Sequence, residues 1–177
     1  MIWVKNMIIG ILSDSHITAN QLKSEGYPKL LKTLKSIFKD VDHIIHAGDI
    51  CVDQFIDDLA TATGKSVSAI AGNMDFDTKW PKQLTLEFEG INIGITHYLN
   101  DFTIFPEKSI RVFIYGHTHL PSIKDSPQGV LMINPGSLLK PRTKKYFQGF
   151  SEEPIARPSV AFLNLENGFV SAFIKKL

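Results

Sequence analysis

The sequence predicts an α/β (α+β) fold in which mixed sheets form a sandwich flanked by helices. Three observations predict it: helical periodicity is concentrated in the first half of the chain, hairpin signals fill the second half, and three early strands each end in a polar side chain. This change along the chain argues against a doubly wound parallel sheet throughout. We therefore expect the two halves to pack as facing sheets.

The first half of the chain alternates strands and helices. Residues 7–12 are an almost continuous apolar run, which is typical of a strand covered on both faces. Apolar residues recur at helical spacing over 27–39, with lysines largely on the other side, as in an amphipathic surface helix. A strand at 43–47, a helix at 54–62 closed by Gly64, and a strand at 67–71 complete this half.

Short strands with tight turns fill the second half. Residues 84–88 and 91–95 flank Glu89-Gly90 and are predicted to form a hairpin, and Asn167-Gly168 marks another between 159–165 and 169–174. Further strands are predicted at 111–115 and 130–133. Residues 140–158 contain three prolines, a glycine and several charged residues and are predicted to form a long loop. We expect a single domain spanning residues 1–177.

Composition narrows the class of protein. The 177 residues are 44% hydrophobic, which fits one compact domain, and 19 basic against 18 acidic residues give a net charge of +1. This charge indicates neither nucleic acid nor an anionic membrane as a partner. Residues 1–12 lead into a first buried strand without a cleavage-site pattern, and no apolar run approaches the roughly 20 residues of a membrane span. Because the single Cys51 cannot form an internal disulfide, we expect a cytoplasmic protein.

Side chains that can bind metal follow five of the apolar segments. They are Asp14, His16, Asp49, Asn73, His97, His117 and His119. Imidazole and carboxylate are ligands of borderline divalent cations, so we predict that the seven form a metal site. Each motif alone is more often a turn or a cap, and the ordered combination carries the prediction. The neighbouring glycines are expected to let the backbone turn sharply: Gly48, Gly72 and Gly116.

The remaining histidines, His43 and His46, lie in a predicted strand. A hydrogen-bonded core histidine is the simpler interpretation of each, so we do not count them as ligands.

The ordered set resembles the calcineurin-like metallophosphoesterase superfamily. The motifs that carry the resemblance are Asp14-Ser15-His16, Gly48-Asp49, Gly72-Asn73, Thr96-His97 and Gly116-His117-Thr118-His119. The small size and Asn134-Pro135-Gly136-Ser137 resemble its compact bacterial and archaeal phosphodiesterase branch. The resemblance covers nearly the whole chain and implies a four-layer αββα sandwich, with helices outside two mixed sheets. It also implies two ions, one held by Asp14, His16, Asp49 and His119, the other by Asp49, Asn73, His97 and His117.

The implied activity is metal-dependent hydrolysis of a phosphodiester. A pair of ions lowers the pKa of a shared water, and the hydroxide attacks phosphorus while Asp49, Asn73 and His97 hold the ions and position the phosphate. Because the ligands are rich in imidazole, Mn²⁺ is preferred over Mg²⁺, with Ni²⁺, Zn²⁺, Fe²⁺ or Co²⁺ as alternatives. Two divalent ions, two aspartates and one hydroxide leave a charge of about +1, which suits a small anionic phosphodiester substrate.

The chain departs from the superfamily pattern beside Asn73. Many relatives continue the Gly-Asn motif with a histidine thought to protonate the leaving group, whereas this chain has Met74, which cannot donate a proton. The absence of this histidine favours diesters, or substrates with stable leaving groups, over phosphomonoesters. Asp75 either orients a ligand or bonds to local backbone. Asp53 lies one position later than the aspartate of the family pattern and is assigned no role.

Two alternatives stay open. The same metal centre would serve a phosphomonoesterase if water or another histidine assists the leaving group. The fold also resembles a retromer subunit with a degenerate metal edge, so a non-catalytic protein-binding scaffold is the alternative from another class. The substrate pocket depends on loops 17–28, 74–83 and 140–158. Aromatic residues in loops leave a homo-oligomer open, namely Phe76, Trp80, Phe102, Phe105, Tyr146, Phe147 and Phe150. Basic residues of the last loop are candidates for reaching a substrate phosphate: Lys140, Arg142, Lys144 and Lys145.

Overall fold

The computed structural model describes residues 6–104, 110–142 and 156–177, apart from the side chains of residues 102–104. The helices in these residues are α1 (Ala19–Leu22), α2 (Gly26–Ile37), α3 (Gln54–Thr63) and a 3₁₀ helix (Leu99–Ile104). The strands are β1 (Asn6–Leu12), β2 (His43–His46), β3 (Ser66–Ala69), β4 (Gln83–Phe88), β5 (Ile91–Thr96), β6 (Ile110–Ile114), β7 (Ser122–Asp125), β8 (Leu131–Asn134), β9 (Ser159–Glu166) and β10 (Phe169–Lys176).

The described strands form two mixed five-stranded sheets. The first has the order β10-β9-β1-β2-β3, in which β1, β2 and β3 are parallel and β9 is antiparallel to β1 and β10. The second has the order β4-β5-β6-β8-β7, with β5, β6 and β8 parallel and antiparallel strands at both edges. The predicted α/β class with two mixed sheets is confirmed.

One prediction about chain organisation is wrong, because the two halves of the chain do not each supply one sheet. The C-terminal hairpin β9–β10 joins the first sheet, where Ile9 of β1 faces Leu163 of β9. Since β1 is buried from Ile9 onward, both of its edges need hydrogen-bond partners. Strand β2 occupies one edge, and β9 satisfies the other.

Apolar layers hold this arrangement together. Between the two sheets, Ile11 and Ile45 of the first pack in one cluster with Ile95 and Ile114 of the second, all with no exposed surface. Helices α2 and α3 cover the outer face of the first sheet. Over the second sheet, Leu99 of the 3₁₀ helix packs against a small cluster that contains Phe113. The layers therefore follow the predicted sandwich.

The turn residues behave as predicted. Gly64 ends α3 in the left-handed region at φ 69°, and its N–H donates to the Ala60 carbonyl. The hairpin between β4 and β5 has Glu89 at φ 50° and Gly90 at φ 73°. Consecutive positive φ angles suit a tight hairpin, because they match the twist of the flanking strands.

Three short elements are missing from the sequence-based prediction: α1, the 3₁₀ helix and β7. Helix α1 has only four residues, too few for periodicity, although Thr18 and Gln21 form a capping box at its start. Strand β7 lies at a sheet edge and ends in Lys124 and Asp125, so it lacks an apolar pattern.

Residues 1–5 of the predicted first strand and 143–155 of the predicted loop lie outside the described residues. No described helix is long and apolar enough to cross a membrane.

Candidate metal centre

The predicted donors lie at one edge of the sandwich, where parallel strands of both sheets end. The two sheets are linked there by a hydrogen bond of 3.1 Å from the His117 N–H to Asp14 Oδ2, between residues 103 positions apart. The first sheet supplies Asp14, His16, Asp49 and Asn73 after β1, β2 and β3, and the second supplies His97, His117 and His119 after β5 and β6.

Four of these side chains form a buried donor group, defined as Asp14, His16, Asp49 and His119. One ligand atom from each lies within 4.8 Å of those of the other three. His119 Nε2 is 3.2 Å from Asp14 Oδ1, and His16 Nε2 is 3.6 Å from Asp49 Oδ2. The two histidine Nε2 atoms are 3.3 Å apart. Such convergence of nitrogen and carboxylate oxygen is the donor chemistry of a first-row divalent ion.

Two buried atoms of the predicted ligands lack a hydrogen-bond partner among the described residues: Asp14 Oδ1 and His97 Nε2. Asp14 Oδ1 lies near His119, but the contact does not have hydrogen-bond geometry. Buried polar atoms left unsatisfied cost about 1–3 kcal/mol each. Cations bound at this edge would satisfy both atoms, so the residues present fit a metal site.

Asp49 faces donors on both sides. Its Oδ2 is directed at His16, and its Oδ1 is 3.4 Å from His97 Nε2. On the side of His97 lies a second pair, in which His117 Nδ1 is 3.0 Å from Asn73 Oδ1. Asn73 and His117 are exposed, whereas Asp49 and His97 are each 2% exposed. The carboxylate therefore stands between a buried group and a more open group of donors.

Backbone carbonyls fix the orientation of two of the rings. His97 Nδ1 is 2.8 Å from the Ala47 carbonyl oxygen, and His119 Nδ1 is 2.6 Å from the Lys140 carbonyl oxygen. Because a carbonyl only accepts, each Nδ1 carries the proton and each Nε2 lone pair is left for the shared site. No side-chain pattern marks these carbonyls, so the sequence offers no signal for them.

The ligand loops adopt an unusual backbone conformation. Five of the predicted ligands have positive φ: Asp14 at 51°, His16 at 47°, Asp49 at 57°, His117 at 67° and His119 at 60°. Residues other than glycine seldom adopt this region, and each instance costs of order 1–3 kcal/mol. Such strain persists where the surroundings force it, and it concentrates at functional sites.

The predicted role of the glycines is right at only one position. Gly48 has φ 89°, as a sharp turn requires, but Gly72 and Gly116 do not have positive φ. A Cβ at Gly72 would collide with Asp49 Oδ1, and one at Gly116 would collide with Ser13 Oγ. Glycine is needed at these two positions because the backbone passes so close to the metal-edge side chains.

Asp75 joins two of the ligand loops. Its carboxylate accepts hydrogen bonds from the Gly72 N–H at 2.7 Å, the Cys51 N–H at 2.7 Å and the Ile50 N–H at 3.2 Å. From the sequence, Asp75 could either bond to the local backbone or orient a ligand. In the structure it bonds to the local backbone and also to the loop of a predicted ligand. Asp75 bonds to its own loop after β3 and ties it to the loop after β2, which carries Asp49.

Replacing Asp75 by alanine is expected to weaken the metal site without removing a ligand. The three N–H groups would lose their acceptor, and removal of such outer partners typically costs about 10- to 100-fold in metal affinity. Titration of Mn²⁺ into the purified variant measures the change. Asp77→Ala, an exposed aspartate in the same loop, is the matched control and should keep the affinity of the unmodified chain. Equal affinities in both variants would contradict this role.

Asp53 and the two strand histidines have other partners. Asp53 accepts from the Thr78 hydroxyl at 2.6 Å, so it holds the loop after β3. His46 Nε2 lies 2.9 Å from Ser15 Oγ, and burial lowers the pKa of His46 to about 4. His43 Nε2 lies 2.9 Å from Ser68 Oγ. None of the three belongs to the buried donor group.

The segment 134–137 does more than end a strand. The Ser137 hydroxyl donates to the Asp14 carbonyl at 2.8 Å, and Asn134 Nδ2 donates to the Gly116 carbonyl at 2.8 Å. Both side chains are fully buried. The sequence analysis used this segment only as a mark of the family branch, and the structure shows that it also supports the ligand loops of both sheets.

Charges within the site oppose the effect of burial on several groups. Burial lowers the pKa of His16. Burial alone would raise the pKa of Asp49 and lower that of His97. Their contact with each other, together with the Met74 N–H and His16 for Asp49 and with Asp14 and the Ala47 carbonyl for His97, shifts both pKa values the other way. The contact with Asp14 raises the pKa of His119. Because His97 and His119 favour protonation, binding of a cation should release protons.

The basic residues of the predicted long loop are only partly described. Lys140 and Arg142 are exposed, and the Arg142 N–H donates to the His119 carbonyl at 3.2 Å. Lys144 and Lys145 lie outside the described residues.

Met74 is 43% exposed, and its N–H donates to Asp49 Oδ1 at 2.8 Å. The position after Asn73 therefore lies beside the metal edge with an apolar side chain.

Two facing mixed sheets with a donor-rich edge suit a metal-dependent phosphoester hydrolase, and comparison with known proteins gives the same class. Residues 7–150 match the calcineurin-like phosphoesterase superfamily domain, and the chain belongs to this family. It is 33% identical over 148 residues to a probable metallophosphoesterase of Methanocaldococcus jannaschii, with 77% of this chain and 70% of the relative covered.

Three solved structures show the same fold. A conserved uncharacterized protein of Streptococcus pneumoniae, a predicted phosphoesterase, superposes with a TM-score of 0.71 at 22% identity, covering 97% of this chain and 90% of that one. An archaeal phosphodiesterase gives a TM-score of 0.65 at 24% identity, with 96% and 100% covered. Vacuolar protein sorting 29 of Cryptosporidium parvum gives 0.65 at 16% identity, with 97% and 98% covered.

Proposed function

We propose that this protein is a dinuclear metal-dependent phosphodiesterase. The observation that carries the proposal is Asp49, whose two carboxylate oxygens face donors on opposite sides. A carboxylate in this position could serve as a ligand of two ions, and such a pair would stabilise the attacking and leaving oxygens of an in-line displacement at phosphorus. Membership of a phosphoesterase family and the fold shared with an archaeal phosphodiesterase support the assignment.

Each of the two groups contains four side chains, enough to bind one divalent ion. The buried donor group would hold the first, and Asp49 with Asn73, His97 and His117 would hold the second. When bound, the two ions would supply an activated water and neutralise charge on the phosphate. Apart from Asp14 and Asp49, the ligands are imidazoles and one amide, which favours Mn²⁺ or a neighbouring first-row ion over Mg²⁺.

The chain's own residues have distinct tasks in this proposal. Asp49 and His97 keep the second group of donors aligned with the buried group, and Asn73 and His117, being exposed, are open to a substrate phosphate. Met74 offers no proton beside Asn73, so a small phosphodiester or a substrate with a stable leaving group is favoured over an ordinary phosphomonoester. The single cysteine and the absence of a long apolar segment in the sequence favour a cytoplasmic location. A homo-oligomer stays an open prediction.

The scaffold alternative draws on the likeness to vacuolar protein sorting 29. That likeness, at 16% identity, concerns the fold alone. A surface that only binds proteins has no need of two unsatisfied buried donor atoms or of strained ligand loops. The donor chemistry therefore favours the enzyme.

Metal loading tests whether the predicted metal centre binds ions, and turnover by the loaded protein then distinguishes the enzyme from the scaffold. At free Mn²⁺ of 100 times the dissociation constant, binding adds about 2.7 kcal/mol to the free energy of unfolding. For a chain of this size this corresponds to a rise of roughly 5–10 °C in Tm. Thermal unfolding with Mn²⁺, Ni²⁺ or Zn²⁺, reversed by a chelator, measures the shift.

The control for metal loading is Asp14→Asn, since asparagine tolerates the positive φ of Asp14 while lacking its charge. This variant should lose most of the metal-induced shift. A chain whose Tm responds to none of the three ions would support the scaffold. Hydrolysis of a bis-aryl phosphate by the Mn²⁺-loaded protein tests the activity itself, and loaded protein without turnover would refute it.

A further inference from the structure

A cleft of about 400 Å³ opens beside the second group of donors. Asn73 and His97, two of the predicted ligands, contribute to its lining together with Lys82, Tyr98 and Asp101. A volume of this size lies in the range of pockets that take small organic molecules. The cleft therefore continues from the place where a phosphate would sit.

The ring of Tyr98 is held as a wall of this cleft. Its centroid lies 4.5 Å from that of His117 and 5.4 Å from that of His97, and the side chain is 39% exposed. The Tyr98 carbonyl accepts from the Thr96 hydroxyl at 2.8 Å and from the Asp101 N–H at 3.2 Å. These interactions of the backbone and the ring fix the aromatic surface next to the donors.

The charges of the cleft indicate what it accepts. Lys82 and Asp101 contribute one positive and one negative group, so the cleft has no net charge to attract a second phosphate. An alkyl or lipid chain would cover these two charged groups without satisfying them. A glycerol-sized group would leave the aromatic wall without a partner. An uncharged group with an aromatic face and hydrogen-bonding edges fits all three residues.

We propose that this cleft binds the nucleoside part of a nucleotide phosphodiester, with the base stacked on Tyr98 and polar edges near Lys82 and Asp101. The inference rests on the proposed phosphodiesterase function and names its substrate class. Recognition of a single small nucleotide needs no basic surface, which agrees with a net charge of +1. Base stacking on an aromatic side chain supplies the affinity.

The test compares two alkyl diesters with similar leaving groups, thymidylyl-thymidine and diglycerol phosphate, on the Mn²⁺-loaded protein. The unmodified chain is expected to favour the dinucleotide by at least roughly tenfold in kcat/KM, the size of one stacking contact. Tyr98→Leu should lower this ratio by about tenfold, whereas Tyr98→Phe should keep it because the ring remains. Phe173→Leu also replaces an aromatic side chain by leucine, at an exposed position of β10, and should leave the ratio unaltered.

A binding measurement separates this inference from the proposed function. Saturation-transfer NMR with thymidine on the metal-free protein should show binding to the unmodified chain and to Tyr98→Phe, and none to Tyr98→Leu. If both diesters are hydrolysed with equal kcat/KM, or if Tyr98→Leu leaves the ratio unchanged, the cleft assignment is overturned while the phosphodiesterase stands. If neither diester is hydrolysed, the NMR result decides. Thymidine that binds the unmodified chain but not Tyr98→Leu supports the cleft, and thymidine that fails to bind the unmodified chain overturns it.

Discussion

Asp49→Asn is expected to reduce phosphodiester turnover by about 10³-fold or more. At about 1.4 kcal/mol for each factor of ten, this is a loss of at least about 4 kcal/mol of transition-state stabilisation. The large effect follows from geometry, because one carboxylate faces both groups of donors, and a neutral amide can neither bridge two ions nor balance their charge. Initial rates on bis(4-nitrophenyl) phosphate at saturating Mn²⁺ measure it.

Asparagine is a better replacement than alanine at this position for two reasons. Asp49 has φ 57°, which asparagine tolerates and alanine does not. The amide oxygen can also keep accepting the Met74 N–H, which is bonded to Asp49 Oδ1 at 2.8 Å. The fold should therefore survive, as circular dichroism would show.

The matched control for Asp49→Asn is Asp57→Asn. Asp57 lies on α3, and its side chain is 54% exposed in a surface ion pair with Lys79. Such pairs contribute about 0–1 kcal/mol, so turnover should stay at the level of the unmodified chain. Turnover in a folded Asp49→Asn protein within about tenfold of the unmodified chain would rule out the bridging role.

Met74→His is expected to raise turnover of phosphomonoesters by about 10²-fold, the lower end of what a general acid contributes. Met74 is 43% exposed beside Asn73, so an imidazole can replace it without loss of core packing. The gain should be larger for phenyl phosphate than for 4-nitrophenyl phosphate, because the poorer leaving group depends more on protonation. It should also decline above the ordinary histidine pKa of about 6.5, where the imidazole loses its proton.

Rates on both monoesters and on a diester, measured from about pH 5.5 to 8, test the Met74→His prediction. Met74→Gln is the control, since glutamine is polar and of similar length but donates no proton to a leaving group. It should leave the monoester rate close to that of the unmodified chain. An equal gain with glutamine, or a gain with no dependence on the leaving group, would show that Met74 is not what limits monoester turnover.

The strand-end donors could be predicted because each depends on local sequence. A buried strand that ends in a polar loop is visible in Leu12-Ser13-Asp14, and the glycine-containing turns at 89–90 and 167–168 are equally local. The left-handed conformation of Asp14 and the other ligands was not visible. Contacts from elsewhere in the chain can hold a loop in the left-handed conformation against its intrinsic preference, so the local sequence does not reveal it.

The surroundings of the donors could not be predicted because they come from distant parts of the chain. Ser137 supports the Asp14 carbonyl across 123 positions, and the Lys140 carbonyl orients His119. A carbonyl oxygen is present at every residue, so no residue type marks the one that a histidine will use. Asp75 was recognised as a candidate, but its reach to Cys51 depends on how two parallel strands align.

By itself the sequence determined the set of side chains available to hold metal, their order along the chain, and the mixed α/β class, since these follow from residue type and local periodicity. Only the tertiary structure decided that the last hairpin completes the first sheet, that Ser137 supports the Asp14 carbonyl, and that Tyr98 forms a cleft wall beside the donors. Those features depend on packing between segments far apart in the chain. Their free energy is a sum over many contacts that no local pattern records.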